Sequence, residues 1–265
     1  MESSFWHKLG LSFIVGSAWV TLSTVAAERY GSKIGGLIGG LPSTAVVALL
    51  FIGLTQTPLA ASETTTIMPL AQGLNGLFII VYVLLVRRGL VTGVLSALSV
   101  WFSFASILIA IGVQWFWVSV AGWILLVLSC YVVVEKWMRI SSRGKIRVRY
   151  AASQIIFRAL FGGAVIAFAV LVGKLGGPLF GGIFATFPAM FLSTLVITYR
   201  TGGAEFSRAV AKALMVSGMI HVALYAIVVR YVYVWSGLVC GTAIALVFSA
   251  GTGYVTYQFM RSKLS

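Results

Sequence analysis

GGLIGGLPST, residues 35–44, and GGPLFGGIFATFPA, residues 176–189, decide how this chain is read. Each sets paired glycines and then a proline in apolar surroundings. Glycine weakens a helix, and proline removes a backbone donor from it. Each stretch therefore reads as a helix packed closely on one turn and broken on the next. The same weakened helix, placed once in each half of one chain, points to a repeat. What such helices are for depends first on their solvent.

The chain has 265 residues, of which 60% are hydrophobic and 9% charged, with a mean hydropathy of +1.04. A soluble domain is usually about one-quarter charged. Apolar runs of roughly 18 residues or more recur along the chain and point to a bilayer. A net charge of +14 would suggest nucleic acid in a soluble protein. Here the lysines and arginines fall between apolar runs and no basic domain stands apart. They read as topology signals, and nucleic acid is not an expected partner. Cys130 and Cys240 lie in apolar segments and form neither a disulfide pattern nor a metal-binding spacing. The N-terminal run of Lys8, LSFIVGSAWV and TVAAE has the outline of a signal peptide. It aligns with a later span, however, and is read as part of the mature chain.

Run lengths predict nine helices, at about 9–27, 34–55, 65–86, 89–112, 115–135, 151–172, 176–198, 207–229 and 232–258. The most basic loop, KWMRISSRGKIRVR at 136–149, is expected in the cytoplasm. Alternating outward from it gathers Arg29, Lys33, Arg87, Arg88, Arg200, Arg208, Lys212, Arg261 and Lys263 on the same face. Lys8, Lys174 and Arg230 fall on the other face, and Arg158 lies inside a span. The expectation is a multi-pass protein of the cell membrane, with its N-terminus outside and its C-terminus in the cytoplasm.

A shift of 142 residues aligns Gly35 with Gly177, Leu37 with Leu179, and Gly39 and Gly40 with Gly181 and Gly182. Without a gap it continues through Thr44/Thr186, Leu50/Leu192, Glu63/Glu205, Gly76/Gly218 and Arg88/Arg230. Leucine matches count for little between apolar segments. A glutamate pair counts for more, because the chain has five acidic residues and no aspartate. The prolines leave the register, Pro42 facing Phe184 and Pro188 facing Val46. The fold expected is all-α and polytopic: four spans at 1–113, a linker helix and basic loop at 114–150, and four more spans at 151–265. The odd linker inverts the second set, a construction common in secondary transporters. Matched charges then lie on opposite sides as equivalent gates, or merely anchor helix ends after an ancestral duplication.

FPAMFLSTLVI and TGGAEFSRAVAKALMVSGM in the second half resemble the GlpM-like family of small membrane proteins. That family carries an aromatic-proline break in one span and a glycine- and acid-rich turn before the next. The resemblance covers about 176–229, with a fainter echo at 35–88 where Leu41–Pro42 replaces the aromatic-proline pair. It implies an integral membrane protein built by duplication and fusion, and names no substrate.

Glycines four apart let helices approach closely, as at Gly35/Gly39, Gly36/Gly40, Gly177/Gly181 and Gly237/Gly241. Proline frees a carbonyl unless another donor replaces the lost bond. Two readings stay open: a kinked, close-packed helix pair without a ligand, or a mid-membrane cavity lined by Ser43, Thr44, Thr186, Ser193 and Thr194. Gln72 and Asn75 share a face of the third span, with Ser217 and His221 on the matching face of the eighth. Arg158 either snorkels to water or faces inward as an anion site.

The gating and helix-break candidates are Lys33, Gly39, Gly40, Pro42, Glu63, Lys174, Gly181, Gly182, Pro188 and Glu205. No carboxylate pair, HExxH motif or partnered nucleophile is legible, so neither an enzyme, a cofactor nor a metal is expected. The function expected is alternating-access carriage of a small solute or lipid, with a non-transporting scaffold that docks partners through GxxxG faces as the alternative. The expected partners are the bilayer and a small solute, with a homo-oligomer left open. Lys33 and Lys174 precede the two glycine runs and would make both cavity mouths cationic, favouring an anionic solute over a metal cation. The blander account seats both lysines in interfacial water.

Overall fold

The computed structural model describes residues 2–29, 42–138 and 150–263, and every regular element among them is helical. In chain order these are α1 (Glu2–Arg29), α2 (Ser43–Thr55), α3 (Pro58–Thr64), α4 (Met68–Leu85) and α5 (Leu90–Ile111). Then follow α6 (Phe116–Val132), α7 (Ala152–Gly176) and α8 (Pro178–Ala185). The final run, Ala189–Lys263, leaves helical geometry at Gly203 and Gly237, giving α9 (189–202), α10 (204–236) and α11 (238–263).

Local chemistry sets these boundaries. Thr57 caps α3 by accepting the Ala60 N–H at 3.0 Å, and Pro58 follows at the first helical position, where a missing N–H is harmless. Gly112 ends α5 in the left-handed conformation. Gly177, Gly203 and Gly237 have φ of 85°, 76° and 76° with extended ψ, a combination essentially confined to glycine. At each of the three the chain turns from one helix straight into the next.

Six stretches are long and apolar enough to cross a membrane: Ser3–Ala26, Met68–Arg88, Leu90–Ile111, Phe116–Lys136, Ala152–Gly176 and Pro178–Thr252. The protein is thus a multi-pass, all-helical membrane protein. Nine crossings require α2 to count as well and the last run to be split into three at its two glycines.

The interior consists of two apolar clusters. One surrounds Phe78, Tyr82 and Trp101 on α4 and α5 and takes in Ile183, Leu195 and Met215. The other joins Leu49 and Ile52 of α2 to Ile166, Tyr225 and Tyr233. Both mix residues from before and after the basic loop, so the halves share their core. Outward-facing α1, α5, α6 and α11 instead expose large apolar side chains, as a lipid-facing surface requires.

Side-chain contacts define two ends. Lys8 Nζ donates to Leu54 O at 2.7 Å, and Arg230 Nη1 to Thr66 Oγ1 at 2.8 Å. Nearby, Trp6, Trp115, Trp117 and Trp235 are exposed, in the manner of an interfacial aromatic belt. At the other end the Tyr150 N–H donates to Glu28 Oε1 (3.2 Å), Arg87 meets Glu205 (2.6 Å), and Lys212 meets Glu135 (2.8 Å).

Candidate functional site

Between α8 and α9 the helix breaks at Thr186, Phe187 and Pro188, where the sequence places it. Pro188 has no N–H to offer Phe184 O, which takes the Phe187 N–H at 3.1 Å instead. The Ala189 N–H folds back to Phe187 O at 2.7 Å rather than reaching Ala185. Backbone carbonyls at the break therefore need other donors. Asn75 on α4 supplies one, its Nδ2 lying 2.9 Å from Thr186 O.

That amide belongs to a wider buried network. Asn75 Nδ2 also donates to Gln72 Oε1 at 3.1 Å, and Gln72 Nε2 donates to Gly218 O on α10 at 3.1 Å. Trp101 Nε1 on α5 donates to Asn75 Oδ1 at 3.0 Å. Next to it, Trp123 Nε1 on α6 donates to Met219 O at 2.9 Å. Gln72, Asn75, Trp101 and Thr186 are all buried. Two neighbouring amides of α4 thus tie α4, α5 and α10 to the broken helix. Inter-helix hydrogen bonds of this kind contribute about 0.6 kcal/mol each on average in a membrane. Together they hold the break in place.

A second cluster lies nearer the Glu28–Tyr150 end. Arg158 on α7 is 7% exposed and points inward. Its Nη1 donates to Thr194 Oγ1 at 2.5 Å and Ser193 Oγ at 3.2 Å, and its guanidinium carbon sits 4.9 Å from the centre of the Tyr150 ring. Among the described residues Arg158 Nε has no hydrogen-bond partner and no carboxylate forms an ion pair with this side chain. A charge at the centre of a bilayer costs about 2.5–3.5 kcal/mol on insertion scales. Two hydroxyls and an aromatic face offset only part of that.

The residues singled out in the sequence therefore divide. Gln72, Asn75 and Thr186 come together, as do Arg158, Ser193 and Thr194. Ser43 and Thr44 begin α2, with no hydrogen bond from their side chains to either cluster among the described residues. His221 is buried on α10, where its carbonyl accepts from Ser249 Oγ at 3.2 Å. The Ser217 side chain and all of Lys33, Gly39 and Gly40 lie outside the described residues. Pro42 immediately precedes α2.

Lys174 is exposed in the last turn of α7, so the inward cation is Arg158. Glu63 is exposed without an ion pair among the described residues, whereas Glu205 bonds both Arg87 and Arg208. The guanidinium of Arg87, with that of Arg208, holds the Glu205 carboxyl at about 2, against an ordinary value of 4.5.

The glycine pairs need correction. Gly177 and Gly237 are reversal residues, so neither shares a helix with Gly181 or Gly241 and neither pair forms a GxxxG face. Gly181 does serve close packing, but inside the protein: a methyl group there would lie 3.1 Å from the Gly173 Cα. Gly182 is buried against α3 and α4, where a methyl group would run into the Thr64 carbonyl.

Trp101, Trp123 and Tyr150 escaped the sequence reading. For the two tryptophans the available signal was the indole N–H, which seeks an acceptor when a tryptophan is buried.

Residues 155–261 match the family described as "Protein of unknown function (DUF3147)". The matched stretch lies within the second proposed repeat and contains the segment on which the GlpM-like resemblance rests. No curated protein and no solved structure matches the chain.

Proposed function

We propose that this protein is a secondary carrier of a small solute, working by alternating access between two inverted halves. The observation that carries the reading is the broken α8–α9 helix, whose freed Thr186 carbonyl is held by an Asn75 amide from the opposite half. Discontinuous helices at the interface between repeats are where secondary transporters bind and move.

The ends of the molecule support the same reading. Arg87, after α4, meets Glu205 at the start of α10; Arg230, late in α10, meets Thr66 just before α4, and Ser62 Oγ donates to Arg230 O at 2.5 Å. Each end is thus closed by an arginine of one half against a polar group of the other. On this reading α2 and the divided final run complete nine crossings, with the Arg87–Glu205 end cytoplasmic and the N-terminus outside. The family match over residues 155–261 supports treating the second half as a unit. The scaffold alternative loses support, because its glycines at 177, 181 and 237 serve turns and internal packing.

Cysteine accessibility tests the proposal. In a background lacking Cys130 and Cys240, Ser43→Cys and Thr186→Cys should react with a water-soluble maleimide from opposite faces of sealed vesicles. Opening the cytoplasmic end with Glu205→Gln should change the balance of the two. Labelling of neither position in any condition would remove the carrier reading, and termini reporting from the same face would remove the inverted halves.

A further inference from the structure

Among the described residues no carboxylate pairs with the buried Arg158, and two hydroxyls and an aromatic ring lie against its guanidinium. We propose that Arg158, Ser193 and Thr194 bind a phosphate group that enters from the cytoplasmic end. The assignment rests on the carrier reading for its use, but not for its existence.

The geometry leaves an edge of the guanidinium available. Nη1 is engaged by the two hydroxyls, while Nε is buried with no acceptor among the described residues. Guanidinium presents its donors as a planar fork that matches two oxygens of one anion. Ser193 and Thr194 now donate to Met190 O, at 3.2 and 2.8 Å. A hydroxyl can rotate from that carbonyl to an arriving oxyanion without moving the backbone. The Tyr150 face stabilises the Arg158 cation and would be the natural cover of a bound anion.

A cleft opens one helical turn from these residues. This cleft of about 320 Å³ between α7 and α9 is lined by Ser153, Gln154, Phe157, Val196, Ile197 and Arg200. Gln154 stands one helical turn before Arg158, and Val196 and Ile197 stand one turn beyond Ser193, so cleft and cation share helix faces. Arg200 is exposed at the outer part of that cleft and no acidic residue lines it. Two cations in series would draw an anion inward. Such a group could be free phosphate or the headgroup of an anionic lipid, whose chains would lie along Phe157, Val196 and Ile197.

Thermal unfolding of the purified full-length protein separates these sources. One arm titrates inorganic phosphate in neutral detergent. The other compares nanodiscs of phosphatidylcholine with and without phosphatidylglycerol. A ligand that binds only the folded state raises the midpoint in a saturable way. A phosphate response assigns a free anion, and a response to phosphatidylglycerol alone assigns a headgroup; both uphold the site if Arg158→Gln weakens the apparent affinity by about tenfold or more, as loss of a charged hydrogen bond does. Should Arg158→Gln not fold, Arg158→Lys keeps the charge, removes the Nε edge and should show the same loss. No wild-type response in either arm, or an equal response in the folded variant, overturns the proposal. Arg158-dependent binding with unlabelled Ser43 and Thr186 positions would keep the site and remove the carrier.

Discussion

Truncating Asn75 to alanine breaks three hydrogen bonds in one step. The Thr186 carbonyl loses the donor at 2.9 Å, Gln72 Oε1 loses its donor at 3.1 Å, and Trp101 Nε1 loses its acceptor at 3.0 Å. Thr186 and Trp101 are buried, at 3% and 0% exposure, so no water replaces what the amide gave. An unpaired buried polar group costs about 1–3 kcal/mol in soluble proteins, while an inter-helix bond in a membrane averages about 0.6 kcal/mol. Three orphaned groups at about 0.6–1 kcal/mol each, from the membrane average to the lower soluble bound, give a loss of roughly 2–3 kcal/mol. For a chain of this length that lowers the apparent unfolding midpoint by about 3–12 °C in detergent.

Trp101→Phe removes one of the orphans along with its donor. The Asn75→Ala/Trp101→Phe double variant should therefore lose less than the sum of the single losses. Midpoints for Asn75→Ala within about 1 °C of wild type, additive with Trp101→Phe, would mean that this amide does not hold the broken helix.

Two further perturbations probe the ends and the turns. Because Glu205 has a depressed folded-state pKa, its stabilisation is present above the ordinary value of 4.5 and is lost as pH falls toward about 2. Its side chain is 52% exposed, so the effect is held below about 1 kcal/mol, and over that acid window wild type should lose more stability than Glu205→Gln; identical acid limbs would remove the Arg87 and Arg208 contacts as stabilisers. Alanine at Gly203 or Gly237 should cost about 1–3 kcal/mol, since φ near 76° with extended ψ suits glycine alone and no neighbouring atom would touch the added methyl. Gly112→Ala should cost less, because φ 66° and ψ 53° are open to other residues; equal losses by thermal unfolding would contradict the backbone argument.

The sequence made some of this legible because the responsible chemistry is local. Apolar run length marks the crossings, and Pro188 marks the break, since a missing N–H cannot be restored from elsewhere in the helix. Glycine spacing was less informative. It does not reveal φ, so Gly177 and Gly237, which turn the chain, looked the same as glycines that pack helices. The separation of Arg158 from the Asn75 network was also hidden, because it depends on which way long side chains reach across helices far apart in sequence.

The proposed repeat register shows most clearly where side-chain and backbone signals part. A shift of 142 residues pairs Glu63 with Glu205 and Arg88 with Arg230, yet it carries the turn at Gly89 to Tyr231, inside α10, and not to the turn at Gly237. The two halves connect their helices differently: the first inserts the short α3 between α2 and α4, whereas the second turns from α9 to α10 at Gly203 alone. α10 then continues past the position matching Gly89 before it turns. The contacts at the two ends leave the register as well: Arg87 rather than the matched Arg88 meets Glu205, Arg230 meets Thr66, and the matched Glu63 has no ion pair among the described residues. The turns drift too, and those on either side of α3 contain no glycine. Under the inverted-repeat reading, what the two halves share at their ends is therefore the pattern, an arginine of one half meeting a polar group of the other, rather than the matched residues.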